Sequence, residues 1–216
     1  MRDIYHEQLD DILAELERMT RAVSTAVRRS TSALLTTDLG TAEEVIAADA
    51  QLNAGGEMIE QKVFDLIARQ APVANELRML VAALRMAADL ERMGDLAAHI
   101  AKITRLRYPL PAIPVELEGL IEDMGRVAQR MVDQAGDVIH SRDISAAQLI
   151  ASTDDEMDAL RSNQFRLMMD ASWPHGVEAA VDIALLGRYY ERISDHAVSM
   201  ARRVIFLVTG ELPAAQ

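Results

Sequence analysis

Hydrophobic residues recur every three or four positions through most of the chain, which is the period of one face of an α-helix. The first such series consists of Ile12, Leu16, Met19, Val23 and Val27. It predicts a helix from about Ile4 to Thr36. Because the same period continues beyond the next turn, we expect the chain to consist almost entirely of helices.

A second and a third helix follow. Thr41 is in position to cap the second helix, and Glu44 stands three residues later, which is a capping-box pattern. This helix is predicted to end near Arg69. Pro72 fits the first turn of the third helix, because proline loses no helical hydrogen bond there. The third helix is predicted to continue to about Arg107.

A proline-rich segment, residues 109–114, separates the chain into two halves, since no helix continues through it. The second half repeats the helical pattern. Helices are predicted over about residues 115–140 and 146–171. A short connection at residues 173–176 then leads into a last helix over about residues 177–208.

Short connections between long helices favour antiparallel neighbours. We therefore predict an all-α fold made of two tandem three-helix bundles related by an internal repeat. The first bundle covers residues 1–108, and the linker covers residues 109–114. The second bundle covers residues 115–210, and residues 211–216 form a frayed tail. The composition agrees, since half of the residues are apolar and there are only 10 glycines and 6 prolines.

The charge and composition exclude several classes of protein. A net charge of −12 argues against nucleic acid as a partner, because the phosphate backbone requires a basic surface. No apolar run reaches the length of a membrane span, so we expect no insertion into a membrane. The chain has no cysteine, and its first residues lack the apolar region of a signal peptide, so a cytoplasmic location is expected. The 12 methionines are predicted to fill the core.

Two segments 100 residues apart repeat one another. Residues 90–97 and 190–197 share Glu, Arg, Asp and Ala at identical spacing. The repeat places carboxylate pairs one helical turn apart, at Glu91 and Asp95 and again at Glu191 and Asp195. Such like-charge pairs cost a few tenths of a kcal/mol each unless a cation offsets them.

The preceding helix of each half carries matching groups: Asp49 in the first half, and Asp154 and Asp158 in the second. Counting from the connections at Ala71 and Ser172, these groups come to within about one turn of the repeated pairs. We call Asp49, Glu91 and Asp95 the first acidic corner. The second acidic corner consists of Asp154, Asp158, Glu191 and Asp195. Clusters of carboxylates without sulfur suit Mg, Mn, Ca or Fe ions.

A solvated acidic face is the alternative interpretation of the same residues. In that case Arg92 would pair with Asp95, Arg192 with Asp195, and Arg188 with Glu191. The histidines His99 and His196 adjoin the carboxylates and are further candidate ligands, although the two halves do not share them.

The doubled Glu-Arg-x-x-Asp segment, the matching helices of Asp49 and Asp154, and the tandem plan resemble the PhoU family of phosphate-transport regulators. The similarity covers essentially the whole chain. In that family a Glu/Asp-x-x-x-Asp motif occurs once per bundle and is associated with surface metal clusters. The resemblance therefore implies ions such as Fe, Mn, Mg or Zn at the seven carboxylates of the two corners. Asn53 stands where the second half has Asp158, so the first corner has one carboxylate fewer and is predicted to be the weaker of the two ligand sets.

The resemblance also implies a function as a cytoplasmic adaptor without enzymatic activity. Its expected partners are the ATPase subunit of the phosphate ABC transporter and the associated sensor histidine kinase. Such a protein represses phosphate-starvation signalling when phosphate is plentiful, and it limits uptake. Its acidic and methionine-bearing faces are expected to dock on these partners, and they allow a homodimer without requiring one.

Two other functions are compatible with a helical bundle. A carboxylate-bridged di-metal oxidase would use Glu-x-x-His motifs, but Gly94 and Ser194 stand where the histidines are needed. A histidine phosphotransfer bundle would use His99 or His196. Phosphorylation assays on His→Gln variants would distinguish the phosphotransfer protein from the adaptor.

Overall fold

The computed structural model describes residues 2–70, 72–73 and 75–211, without the side chains of residues 2–6. This part of the chain forms six long helices and no strand. The helices are α1 (Arg2–Thr36), α2 (Leu39–Gln70), α3 (Asn75–Arg107), α4 (Glu118–Ser141), α5 (Ile144–Met168) and α6 (Gly176–Thr209). The all-α class and the two three-helix bundles are confirmed. Ala71 and residues 212–216 of the predicted tail lie outside the described residues.

The start of α2 differs from the prediction. Asp38, not Thr41, caps this helix, because the Asp38 carboxylate accepts the Thr41 amide at 3.1 Å and the Thr41 hydroxyl at 2.7 Å. Thr41 occupies the third position of the helix instead. Asp38 and Thr41 are both good cap residues, and the turn conformation of Thr37, with φ at 54°, favours the earlier start.

Three other helix boundaries differ as well. Pro72 lies outside α3, because a turn closed by the Glu76 amide and the Val73 carbonyl (3.1 Å) precedes that helix. Val115 begins a short 3-10 turn that leads into α4. The α5 helix ends three residues before Ala171, since the Asp170 side chain accepts the Ser172 amide at 2.8 Å and turns the chain.

The two bundles share one continuous hydrophobic core. Helices α1, α2 and α3 pack together, as do α4, α5 and α6, while α1 also packs on α4 and α3 on α6. Seven methionines lie in the core, as predicted, whereas Met58 and Met169 are exposed; the seven are Met19, Met86, Met93, Met124, Met131, Met157 and Met200. A Cβ at Gly125 of α4 would lie 2.5 Å from the Thr31 methyl group of α1, so glycine permits this close approach.

Polar contacts also join the bundles. The hydroxyls of Thr31 and Tyr190 form a buried hydrogen bond of 2.9 Å. Along the antiparallel pair of α3 and α6, buried Asp89 contacts Arg203 and the imidazole of His196, each at 3.0 Å. At the other end of this pair, Arg107 binds Asp182. None of the described helices is long and apolar enough to cross a membrane.

Candidate functional site: two acidic corners

The first acidic corner lies where α2 and α3 approach closely. A Cβ at Gly56 would overlap the carboxylate of Glu91. A Cβ at Gly94 would lie 2.5 Å from Leu52 Cδ1 and 3.3 Å from Asp49 Oδ1. Small residues therefore let each carboxylate lie directly against the neighbouring helix. Asp49 thus meets α3 at Gly94, whereas Glu91 meets α2 at Gly56, seven residues further along that helix.

The carboxylates of the first corner are only partly compensated by nearby cations: Arg92 pairs with Asp95, and Lys102 acts to lower the pKa of Asp49. Burial raises the pKa of Asp49, and the negative charge of Asp95 raises it further. Burial also raises the pKa of Glu91, followed by the charges of Asp95 and Glu57. The buried Oδ1 of Asp49 accepts no hydrogen bond from the described residues. This arrangement of charges favours a proton or a cation.

A cleft of about 220 Å³ opens beside this corner, between α1 and α2. Asp49, Leu52 and Gly94 line one wall, and Glu15 and Arg18, which form an ion pair, line the other. The cleft makes Asp49 accessible from the surface.

The second acidic corner holds one carboxylate with a strongly shifted pKa. Burial raises the pKa of Asp154 to about 6, and Asp158, Asp195 and Glu191 add to the effect. Burial also raises the pKa of Asp195, while the charge of Arg192 lowers it. These shifts indicate that Asp154, Asp158, Glu191 and Asp195 interact electrostatically, as the sequence predicts.

Glu191 differs from the other carboxylates because two cations hold it. Its Oε2 lies 3.2 Å from Arg161 Nε and 2.9 Å from an Arg188 guanidinium nitrogen. Arg161 is absent from the sequence prediction. The sequence could have indicated Arg161, because the shift of 105 residues that aligns Asp49 with Asp154 also aligns Gly56 with Arg161. The first corner therefore has a glycine where the second has an arginine.

The ion pairs of the alternative interpretation are present. Arg92 lies 3.2 Å from Asp95, Arg192 lies 3.6 Å from Asp195, and Arg188 contacts Glu191 as described above. Within the described ranges, no three His, Cys, Asp or Glu side chains are grouped so that they could hold one metal ion. The corners are thus partly neutralised by their own helices.

The two candidate histidines face the junction between the bundles. His99 stacks on the ring of Tyr189, with ring centroids 5.4 Å apart. His196 hydrogen-bonds to Asp89. Both imidazoles thus have partners across the α3–α6 contact.

The fold and the doubled acidic corners define a duplicated helical-bundle protein whose two halves carry the same motif. The PhoU domain family matches this chain twice, over residues 16–104 and residues 121–204. The chain therefore belongs to the PhoU family.

Curated relatives extend over the whole chain. One is the phosphate-specific transport system accessory protein PhoU homolog 2 of Mycobacterium tuberculosis, 46% identical over 99% of this chain and 100% of that protein. Another is PhoU homolog 1 of Mycobacterium leprae, 46% identical over 99% of this chain and 96% of that protein.

Solved structures share the fold. The phosphate transport system regulatory protein PhoU of Streptococcus pneumoniae is similar with a TM-score of 0.88 and 23% identity, over 98% of this chain and 100% of that one. PhoU of Pseudomonas aeruginosa is similar with a TM-score of 0.84 and 27% identity, over 96% and 100%.

Proposed function

We propose that this protein regulates phosphate uptake and phosphate-starvation signalling as a cytoplasmic adaptor without enzymatic activity. Its partners are the ATPase subunit of the phosphate ABC transporter and the sensor histidine kinase, and it acts as a negative regulator. The observation that carries the proposal is the full-length match to phosphate-specific transport system accessory proteins at 46% identity.

The architecture supports a role in docking. Because the two bundles share one core and are joined by buried polar contacts such as Thr31–Tyr190, they form a rigid scaffold. A rigid scaffold can stabilise one conformation of a partner, since its binding free energy differs between the partner's states. Its long helices provide separate surfaces for the ATPase and the kinase.

We also propose that the acidic corners bind a divalent cation such as Mn²⁺ or Mg²⁺, or an iron ion. In the first corner, Asp49, Glu91 and Asp95 would hold it after their side chains move together, since no three such side chains are grouped for one ion among the described residues. Two features support this choice: the unpartnered oxygen of Asp49, and the burial and neighbouring carboxylates that together raise the pKa of Glu91. The cation would neutralise the cluster and link α2 to α3. In the second corner, Asp154, Asp158, Glu191 and Asp195 would bind more weakly, because Arg161 already neutralises Glu191.

Binding experiments test the adaptor function. The purified chain is titrated with the ATPase subunit and with the cytoplasmic part of the sensor kinase from the same organism. We expect saturable binding to both. Deletion of the gene should activate phosphate-starvation genes in phosphate-rich medium, and a plasmid copy should restore repression. Absence of binding together with normal repression in the deletion strain would contradict the proposal.

Cation titration tests the metal proposal separately. Mn²⁺ is titrated into chelator-treated protein by calorimetry, with wild type compared with Asp49→Asn/Glu91→Gln. We expect heat from wild type and about a tenfold loss of affinity in the variant, since two anionic ligands become neutral. The control is Glu122→Gln, which removes an exposed charge on α4 that does not act on Asp49 or Glu91. Equal affinity in all three proteins would exclude the first corner as the site.

A further inference from the structure

A basic groove lies at the junction of α3 and α6, nearer the start of α3 and the end of α6 than the acidic corners are. Its volume is about 360 Å³. Its apolar lining includes Leu77, Val81 and Phe206, and its charged lining consists of Arg78, Arg85 and Arg203. Leu77 and Val81 are 40% and 36% exposed, which is unusual for residues on the apolar face of a packed helix.

The positive charge of this groove is largely uncompensated. Arg203 binds the buried carboxylate of Asp89 at 2.9 Å. The guanidinium of Arg78 lies 5.4 Å from the centre of the Phe206 ring, and this cation–π contact positions Arg78 at the groove. Neither Arg78 nor Arg85 forms an ion pair with any of the residues that the structure describes. On a chain with a net charge of −12, this groove combines apolar surface with positive charge.

The internal repeat shows that the second bundle lacks the positive charge that Arg78 gives to the groove. A shift of 100 residues relates Leu77 to Val177 and Val81 to Val181, and all four side chains are exposed. The same shift relates Arg78 to Glu178, which pairs with Arg107. The apolar pattern is therefore repeated while the charge is reversed. Glu178 has an ion-pair partner in Arg107, whereas Arg78 has none among the described residues, so only the first bundle presents an unpaired charge beside the exposed apolar positions.

We infer that the basic groove binds an acidic amphipathic helix of a partner protein. The apolar stripe of such a helix would cover Leu77, Val81 and Phe206. Glu or Asp residues beside the stripe would pair with Arg78 and Arg85, because charge-assisted hydrogen bonds to guanidinium groups are strong and directional. The identity of the partner rests on the proposed adaptor function. The affinity of the groove for an acidic amphipathic helix rests only on the contacts described above.

Synthetic peptides test the chemistry of the groove without any assumption about phosphate signalling. One labelled helical peptide carries a leucine stripe flanked by glutamates, and its counterpart has lysines in their place. Binding is measured by fluorescence anisotropy to wild type, to Arg78→Glu/Arg85→Glu, and to the control Arg28→Glu. Arg28 is an exposed arginine of α1 outside the groove. Circular dichroism checks that each variant is folded.

We expect the glutamate peptide to bind wild type and Arg28→Glu equally, and the double variant about tenfold or more weakly. Binding should weaken at high salt. The lysine peptide should not bind wild type. The inference is wrong if wild type does not bind the glutamate peptide, if it binds both peptides alike, or if Arg28→Glu loses as much affinity as the double variant.

The ATPase subunit and the kinase are then titrated into the same proteins. Binding to wild type that is lost in the double variant supports the inference and identifies the partner. Equal binding to both proteins would show that the groove is not the docking site, while the adaptor function stands. If the peptide binds but neither partner binds wild type, the adaptor function fails and the groove chemistry stands.

Sedimentation provides a last check. Wild type that self-associates and a double variant that stays monomeric would assign the groove to a second copy of this chain, which overturns the inference.

Discussion

Arg161 contacts Glu191 at the position where Gly56 contacts Glu91 in the other bundle. The Nε–Oε2 distance is 3.2 Å in the second bundle. In the first bundle, a Cβ on residue 56 would already overlap the carboxylate. Two copies of one motif thus meet different partners on the neighbouring helix, because the α2 and α5 sequences differ at one aligned position.

This difference changes the balance of charge between the corners. A count of carboxylates favours the second corner as a cation site, with four groups against three in the first. Arg161 supplies a fixed cation to the second corner, and Arg188 supplies another. A divalent ion there would compete with guanidinium groups already in place. The first corner offers fewer ligands and also less competition, so we expect it to bind the ion more tightly.

Removal of the Arg161 side chain should destabilise the protein more than removal of Arg188. The Arg161 side chain is 12% exposed, and it also donates a hydrogen bond to Gln164 at 2.7 Å. We expect Arg161→Ala to lower the free energy of unfolding by about 1–3 kcal/mol, because buried polar partners lose their donor. The Arg188 side chain is 51% exposed, so Arg188→Ala should cost no more than about 0.5 kcal/mol. Urea denaturation measures both.

The same substitution should change cation binding. With Arg161 removed, the second corner would have less fixed positive charge, and we expect its affinity for Mn²⁺ to increase. Calorimetry on Arg161→Ala, with Arg188→Ala for comparison, tests this. A decrease in affinity would contradict the view that Arg161 competes with the ion.

Gly56→Ala should displace the Glu91 carboxylate while leaving the stability of the fold nearly unchanged. The atoms that a Cβ would meet belong to the end of a flexible glutamate side chain, which can rotate away. We therefore expect the free energy of unfolding to change by less than about 1 kcal/mol. Cation affinity at the first corner should fall, because the Glu91 carboxylate is displaced from α2.

Gly119→Ala is the matched control for this substitution. Gly119 lies in α4 with nothing within 4 Å of a Cβ, so neither stability nor cation affinity should decrease. Denaturation and calorimetry on the two variants give the comparison. A Gly56→Ala protein with wild-type cation affinity would show that Glu91 is not a ligand.

Much of the fold could be predicted because it depends on local periodicity. The residues at Leu90, Met93, Tyr190 and Ile193 repeat with the helical period, and all four are buried. Helix ends were less predictable. Asp38 and Thr41 can both cap a helix, and only the backbone of the turn before Asp38 decides between them.

The composition of each corner was predictable only in part. Residues on the same helix as a carboxylate follow from spacing, so the pairs Arg92–Asp95 and Arg192–Asp195 could be predicted. The contact of Arg161 with Glu191 depends on how α5 and α6 are rotated about their axes. The basic groove likewise depends on which ends of α3 and α6 meet, since Arg78 and Phe206 are far apart in sequence.

Stability should depend on pH through Asp154. Its pKa in the folded protein is raised from 3.8 to about 6, so the folded state holds its proton more tightly than the unfolded state does. The free energy of unfolding therefore falls as the pH rises from about 4 to 6, and the penalty persists at pH 7. We expect Asp154→Asn to be more stable than wild type at pH 7 by about 1 kcal/mol, a value reduced for solvent screening.

Urea denaturation at pH 7 and at pH 3.5 tests this dependence. The advantage of Asp154→Asn should disappear at the lower pH, where wild type is protonated in both states. The control is Asp137→Asn, which changes an exposed carboxylate of α4 that does not act on Asp154 and should leave stability within about 0.5 kcal/mol of wild type. An equal effect of Asp154→Asn at both pH values would show that ionisation is not the cause.

The buried contact between Thr31 and Tyr190 should contribute to the coupling of the two bundles. Tyr190 is fully buried, and burial raises the pKa of its phenol, so the hydroxyl stays neutral and needs an acceptor. Thr31 donates to the Val27 carbonyl at 2.8 Å, so its oxygen is free to accept from Tyr190. Thr31→Val keeps the shape but removes the acceptor, and we expect a loss of about 1–3 kcal/mol.

A double-mutant cycle distinguishes this hydrogen bond from packing. Tyr190→Phe removes the donor, so the combination with Thr31→Val leaves neither hydroxyl. If the hydrogen bond is responsible, the double variant should lose about 1 kcal/mol less than the sum of the single variants. Additive losses would mean that the two residues act independently.

Unfolding monitored by both the fluorescence of Trp173, in the second bundle, and circular dichroism should remain a single transition in wild type, because both bundles share one core.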